Sequence, residues 1–162
     1  MIHAKNPGSA EKMIHIVDDD ELILAVISEL GKTFGFQSRR FRNPLDYLAL
    51  AGSSAYKSPA AVFCDVVMPE MNGFDMMHQV HELHPNIRFV MISGKSQSAH
   101  PYCSEACIFL VKPISFGQME KTFQHLRTCN ECGPAATLVN AWPDNRDHFA
   151  TCKQKCPFDS EI

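Results

Sequence analysis

Acidic, hydroxyl and basic side chains follow four apolar runs of the chain, each at the point where the run ends. Asp18 and Asp19 follow Ile-His-Ile-Val, and Asp65 follows Ala-Val-Phe-Cys. Ser93 follows Phe-Val-Met-Ile, and Lys112 follows Ile-Phe-Leu-Val. Carboxylates, a hydroxyl and an ammonium group in one crevice are the parts of a magnesium-dependent phosphoryl-transfer site with an aspartate nucleophile.

The elements that must position these groups alternate between strand and helix along the chain. Asn43-Pro44 and Ser115 supply helix-start signals. Five apolar strands linked by helices predict an α/β fold with a doubly wound parallel sheet, whose ligand crevice lies outside the carboxyl ends of the strands. The pattern predicts strands at 13–17, 36–42, 60–64, 87–92 and 107–111, and helices at 20–34, 44–51, 74–84 and 116–126.

The chemistry of the four polar pieces indicates a role for each group. Clustered carboxylates repel one another and raise their pKa values, so a bound divalent cation is the natural way to keep them ionised. Magnesium suits carboxylate and carbonyl oxygens. Asp65 would then be both a ligand and the attacking group. Lys112 would pair with phosphoryl oxygens, and the Ser93 hydroxyl would donate to them.

Four motifs together resemble the receiver domain of two-component response regulators. They are Val-Asp18-Asp19-Asp-Glu, Asp65-Val-Val-Met-Pro-Glu-Met-Asn-Gly, Ile-Ser93-Gly and Leu-Val-Lys112-Pro. The resemblance covers residues 12–127. It implies a flavodoxin-like, five-stranded parallel sheet in the order 2-1-3-4-5.

The resemblance also implies how the pocket binds phosphate and metal. Asp65 is the implied phosphoacceptor, and Lys112 is the implied phosphate-contacting lysine. The implied magnesium ligands are the carboxylates of Asp18, Asp19 and Asp65 and the backbone carbonyl of Val67.

Further implied residues belong to the conformational switch. Ser93 is the switch hydroxyl, and Phe109 stands where the family has a rotating aromatic ring that turns inward on phosphorylation. The bond from Lys112 to Pro113 is often cis in the family. The interval from Ser93 to Lys112 is short and contains Pro101, so we expect the helix between the last two strands to be shortened or broken.

The function implied by the resemblance is phosphorelay signalling rather than enzymatic turnover. Asp65 would receive a phosphoryl group from a sensor histidine kinase or a histidine phosphotransfer protein, and the phosphorylated chain would bind a protein target. A phosphotransfer intermediate or phosphate sink is the alternative. A haloacid-dehalogenase-like phosphatase expects an acid where Val67 stands. A flavodoxin expects a hydroxyl- and glycine-rich first loop, where this chain has three aspartates, Asp18 to Asp20.

Composition narrows the class of partner. The 162 residues carry a formal net charge of −3, which disfavours direct binding of nucleic acid. No apolar run approaches the length that crosses a bilayer, and the first 11 residues lack the apolar core of a signal peptide, so we expect a cytoplasmic protein without membrane contact. Arg39, Arg40 and Arg42 lie on a predicted strand, and we interpret them as protection of a sheet edge.

The segments outside the predicted receiver differ from it. Residues 1–11 read as an N-terminal extension. Residues 128–162 form a cysteine-rich tail that is too short for a helix-turn-helix module. Its thiol pairs Cys129–Cys132 and Cys152–Cys156 would suit a zinc site. A disordered tail with free thiols, a redox pair and iron-sulfur ligation remain open alternatives.

One helix of the predicted receiver carries a histidine repeat. His78, His81 and His84 recur every three residues on the helix at 74–84. Residues at that interval drift around a helix, and no carboxylate completes a ligand set. We therefore interpret all three as solvated positions.

Overall fold

A six-stranded sheet forms the centre of the computed structural model, which describes residues 12–94, residues 106–128 and the backbone of residues 148–149. The five longer strands are parallel and follow the order β2-β1-β3-β4-β5, which confirms the predicted doubly wound, flavodoxin-like sheet. Their bounds are β1 Lys12–Val17, β2 Phe36–Phe41, β3 Ala61–Asp65, β4 Phe89–Ser93 and β5 Ile108–Val111.

The sixth strand was not predicted from the sequence. Strand β6, His148–Phe149, pairs antiparallel with β5 at the outer edge of the sheet. It opposes Phe109 with His148 and Ile108 with Phe149. Part of the predicted tail therefore belongs to the sheet.

Polar side chains start the helices where the sequence indicates. Asp20, Asn43 and Asn72 each accept a hydrogen bond from the backbone N–H two residues further on. Ser115 and Gln118 form a reciprocal capping box, because the Ser115 hydroxyl accepts from the Gln118 amide and the Gln118 side chain accepts from the Ser115 amide. The helices are α1 Glu21–Thr33, α2 Pro44–Ala51, α3 Gly73–Leu83 and α4 Phe116–Thr128.

Two apolar layers cover the two faces of the sheet. One layer packs α1 and α4 on the sheet, with Ile16, Ile27 and Phe123 buried in it. The other packs α2 and α3, with Phe74 and Val80 buried in it. Because both faces are covered, polar groups gain access to solvent mainly at the ends of the strands.

Several predicted features lie outside the described residues. These include the expected break between β4 and β5 and the candidate zinc ligands, which are Cys129, Cys132, Cys152 and Cys156. Among the described residues, none of the helices combines the length and the apolar character that a bilayer crossing requires.

The interpretation of the histidine repeat is wrong for His81. Its side chain is buried, and its Nε2 lies 2.7 Å from the carbonyl oxygen of Ile87. His84 caps α3, and its Nε2 lies 2.8 Å from the Ala51 carbonyl oxygen at the end of α2. His78 is half-buried, with its side chain 34% exposed, and its Nε2 lies 3.7 Å from a carboxylate oxygen of Glu82 on the next turn. The prediction failed because α2 and the loop after α3 cover more of this helix than its sequence pattern indicates.

Candidate functional site

Strand register brings the predicted polar groups to one end of the sheet. Asp65 is the last residue of β3 and pairs with Ile92 of β4, so Ser93 follows directly beside it. Ser93 pairs with Val111, the last residue of β5, and the amide of Lys112 donates to the Ser93 carbonyl at 2.7 Å. Each of these strands ends at this edge of the core, because the apolar run in its sequence stops there.

Three carboxylates converge at this edge. Oxygens of Asp18, Asp19 and Asp65 all lie within 4.8 Å of one another. Asp18 and Asp65 are buried, and Asp19 is exposed. The third aspartate of the run, Asp20, instead caps α1, because its side chain accepts from the amide of Leu22.

Asp18 has one oxygen without a protein partner. Its Oδ1 accepts a hydrogen bond from the amide of Asp20 at 2.8 Å, whereas its buried Oδ2 has no hydrogen-bond partner among the described residues. Burial raises the pKa of Asp18 to about 6, and repulsion from Asp65 adds to that rise. The hydrogen bond from Asp20 acts in the opposite direction. A buried carboxylate oxygen without a partner is costly, so this arrangement favours a bound cation.

Asp65 has the basic partner that the sequence predicts. The Lys112 ammonium nitrogen lies 3.4 Å from Oδ1 of Asp65, and the lysine side chain is about one-third exposed. Burial raises the pKa of Asp65, while attraction to Lys112 opposes that rise. Lys112 therefore stabilises the charged form of Asp65.

Gly73 fixes the loop that follows Asp65, a role that was not predicted from the sequence. Its amide donates to the Val66 carbonyl at 2.8 Å. A Cβ atom at this position would overlap the backbone carbonyl oxygen of Asp65 and press on Cys64. The first residue of α3 must therefore be glycine for the helix to lie this close to β3. In the sequence, this glycine is visible only as the last residue of the motif that begins at Asp65.

The predicted switch residues are both buried. Ser93 is 3% exposed, and Phe109 is 1% exposed, with its ring stacked on Phe74 at 6.1 Å between centroids. The ring of Phe109 thus already lies inside the domain. The Lys112–Pro113 bond is cis, as the resemblance implies.

Magnesium fits the chemistry of the donor set. Asp18, Asp19 and Asp65 offer carboxylate oxygens at one edge of the sheet. Oδ2 of Asp18, which has no hydrogen-bond partner among the described residues, is available to coordinate a cation. Hard oxygen donors of this kind suit magnesium, which retains several waters. The Val67 carbonyl stays a predicted ligand; the Val67 side chain is 74% exposed.

An apolar cavity adjoins the site. It has a volume of about 450 Å³ and lies between α1 and the start of α4, with Lys112 in its wall. Leu22 and Phe116 are 68% and 59% exposed, and Val26 of α1 is 47% exposed. Exposed apolar side chains beside a polar pocket are typical of a protein-binding surface.

Comparison with known proteins identifies the family. The family model described as the response regulator receiver domain matches residues 14–124. The chain belongs to the response regulator receiver family. The alternative interpretations as a haloacid-dehalogenase-like phosphatase or a flavodoxin are therefore set aside. Receiver domains of this family act in two-component phosphorelay signalling, and they accept phosphoryl groups from histidine kinases.

Two curated relatives are response regulators of bacteria. The chain is 34% identical over 138 residues to the response regulator protein TmoT of Ectopseudomonas mendocina, covering 85% of this chain and 57% of TmoT. It is 34% identical over 82 residues to TodT of Pseudomonas putida, covering 51% of this chain and 35% of TodT. The matches thus span little more than half of TmoT and about a third of TodT.

Solved structures show the same fold. A CheY-like response regulator receiver domain from Methylobacillus flagellatus matches with a TM-score of 0.63 and 25% identity, over 72% of this chain and 99% of that one. The BeF3-activated DrrB receiver domain matches with a TM-score of 0.61 and 20% identity, over 73% and 96% of the two chains.

Proposed function

We propose that this chain is a phosphorylation-controlled binding module with Asp65 as the phosphoacceptor. The observation that carries the proposal is the position of the Asp65 carboxylate, which lies within 4.8 Å of the acids of Asp18 and Asp19 and 3.4 Å from the Lys112 ammonium. The bounds 12–127 for the receiver remain a prediction, and the family match at 14–124 falls inside them.

The proposed reaction is phosphoryl transfer from a phosphohistidine. A carboxylate oxygen of Asp65 attacks the phosphorus atom, the new P–O bond forms as the P–N bond breaks, and the imidazole leaves as the neutral base after taking up a proton. Lys112 would move from the Asp65 carboxylate and pair with the phosphoryl oxygens. Ser93, at the end of β4, would donate a hydrogen bond to these oxygens.

Magnesium would supply charge neutralisation at this edge. Asp18, Asp19 and Asp65 would hold it, with the Val67 carbonyl as the fourth protein ligand. Without a cation, the carboxylates would repel an approaching phosphoryl anion. The buried Oδ2 of Asp18 would then have the partner that the described residues do not provide.

The donor protein must approach from the open side of this pocket. The exposed side chains of Val26 and Phe116 line the cavity whose wall includes Lys112. A donor that presents an apolar surface here would bury them and bring its phosphohistidine to Asp65. We therefore propose a sensor histidine kinase or a histidine phosphotransfer protein as the partner on this side.

Output is proposed to pass through β4 and β5. Ser93 pairs with Val111, and Phe109 is buried two residues earlier on β5. Movement of Ser93 toward a phosphoryl group would therefore shift the strand that holds Phe109. A protein target would bind the shifted state more tightly.

Intact-mass spectrometry with acetyl phosphate tests the phosphoacceptor. We expect one added phosphoryl group in the wild type that requires magnesium and is absent in Asp65→Asn. Asp46→Asn, which changes an exposed acid on α2, is the matched control and should be labelled like the wild type. Equal labelling of Asp65→Asn and the wild type would refute the assignment.

A lifetime measurement separates a switch from a relay. A switch predicts a phosphorylated form that persists when the donor is removed and that captures a protein target. Rapid return of the phosphoryl group to a histidine protein, without tighter target binding, would instead identify a phosphotransfer intermediate or phosphate sink.

A further inference from the structure

The two edges of the five parallel strands differ in chemistry. The β2 edge carries Arg39 and Arg40, both solvent-accessible, within Phe36–Phe41. Charged side chains of this kind discourage another strand from pairing with an exposed edge. The arginines were interpreted as protection of a sheet edge, and β2 does lie at the end of the sheet.

The β5 edge has none of these protective features within its own sequence. It reads Ile108-Phe-Leu-Val111, without charge, proline or glycine. An apolar strand at the end of a sheet presents unpaired N–H and C=O groups to any other strand. This edge needs protection from elsewhere in the molecule.

Strand β6 supplies that protection. His148 and Phe149 oppose Phe109 and Ile108 in antiparallel register, so the tail lies along the part of β5 that is farthest from Lys112. Antiparallel pairing with β5 is therefore a geometry that this edge already accepts. The occupant is a segment of the same chain.

We propose that His148–Phe149 is a built-in cap for the β5 edge, and that this edge is a strand-binding surface. The cap pairs in cis and prevents the edge from accepting an antiparallel strand from a second copy of this chain. Release of the cap makes the surface available. The proposal depends on backbone pairing and sheet topology, so it stands independently of phosphorylation at Asp65.

Proline substitution in the full-length chain tests the cap. His148→Pro/Phe149→Pro removes both N–H groups of β6, including the one that faces β5, because proline has no N–H. The matched control, His148→Ala/Phe149→Ala, keeps both donors. By hydrogen exchange we expect β5 amides to lose protection in the proline variant relative to the alanine variant, while β1 amides are unchanged. By light scattering we expect concentration-dependent self-association of the proline variant alone.

A rescue variant distinguishes strand pairing from general aggregation. Val111, half-buried at the end of β5, can be replaced by lysine to give this edge the kind of charge that β2 carries. Val111→Lys in the proline background should restore a monomer if an uncapped edge drives association. Self-association that persists in the rescue variant would overturn the proposal. So would a proline variant that matches the alanine variant in both mass and β5 protection.

Discussion

The ammonium nitrogen of Lys112 lies 3.4 Å from Oδ1 of Asp65, at a point where two strand ends that are distant in sequence meet. Attraction to this ammonium opposes the rise in the pKa of Asp65 that burial causes. The lysine therefore favours the ionised carboxylate before any phosphoryl group arrives, and it would pair with the phosphoryl oxygens afterwards.

Removing this charge should slow phosphorylation. Lys112→Met keeps an unbranched side chain of comparable length. We expect the rate of labelling by acetyl phosphate to fall about tenfold or more, which corresponds to an increase of about 1.4 kcal/mol in the activation free energy. Lys121→Met, which changes an exposed residue of α4, is the control. A time course followed by intact-mass spectrometry measures both rates. Unchanged labelling of Lys112→Met would argue that the ammonium does not act on Asp65.

Magnesium binding should weaken as the solution becomes acidic. The pKa of Asp18 is about 6 because of burial, and a proton on this carboxylate competes with the cation. As the pH falls through about 6, we expect the dissociation constant for magnesium to rise by roughly tenfold per pH unit. Calorimetric titration between about pH 7.5 and 5, a range of about 2.5 units that includes that pKa, measures the trend.

Asp18→Asn provides the control for that titration. This variant should bind magnesium more weakly at every pH and should lose most of the pH dependence, because the titrating ligand is gone. A wild-type affinity that stays flat from neutral pH to below pH 6 would contradict the role assigned to Asp18.

Buried histidines should make the domain sensitive to acid. Burial lowers the pKa of His15 to about 4. Because the unfolded state binds a proton at about 6.5 and the folded state only near 4, stability is lost as the pH falls through this window. We expect His15 to account for about 2 kcal/mol of the free energy of unfolding lost between pH 7 and 5.

Urea unfolding of His15→Phe at the two pH values tests this. The raised pKa of Asp18 acts with the opposite sign, because it adds stability as the pH falls toward the unfolded value of about 4. His15→Phe and its parent should therefore be compared in an Asp18→Asn background, where Asp18 does not titrate. There, His15→Phe should lose less stability than its parent on acidification, and equal losses would contradict the prediction. His15 lies among aromatic rings and contacts the Tyr47 hydroxyl at 3.1 Å, so phenylalanine suits its surroundings.

Gly73→Ala should destabilise the domain and disturb Asp65. The new Cβ atom would overlap the Asp65 carbonyl oxygen, so α3 or the end of β3 must shift. We expect a loss of about 1–3 kcal/mol in the free energy of unfolding, as is usual for overpacking, together with slower phosphorylation. Gly52→Ala is the control, because its Cβ would meet only ordinary contact with the Leu48 carbonyl at 3.5 Å. Similar unfolding midpoints for the two variants would contradict the prediction, because they would show that α3 moves away from Asp65 without loss of stability.

The sequence predicted the site better than it predicted the surroundings of the site. Asp65, Ser93 and Lys112 each end or follow an apolar run, and parallel pairing places such ends together. Local sequence is enough to predict this arrangement, because a polar residue marks the end of each apolar strand. The same holds for the helix starts at Asn43 and Ser115.

Features set by non-local packing were not predicted. His81 is buried because the loop after α3 covers it, with its Nε2 2.7 Å from the Ile87 carbonyl oxygen, and a polar side chain gives no local sign of such cover. Strand β6 has only two residues, too few for a periodic pattern, and its place depends on the free edge of β5. The packing role of Gly73 was not predicted because the approach of α3 to Asp65 appears only in three dimensions.

The hydroxyl of Ser93 should couple the pocket to β5. Ser93 pairs with Val111 and accepts a backbone hydrogen bond from Lys112, so a change at Ser93 is transmitted to the strand that holds Phe109. We expect beryllofluoride with magnesium to shift the amide resonances of Phe109 and Val111 in the wild type. Ser93→Ala should still bind the mimic through Asp65 but show much smaller shifts on β5, because the methyl group cannot hydrogen-bond to it. Ser53→Ala, an exposed position, should behave like the wild type. Shifts on β5 as large in Ser93→Ala as in the wild type would place the coupling in the Lys112 side of the pocket instead.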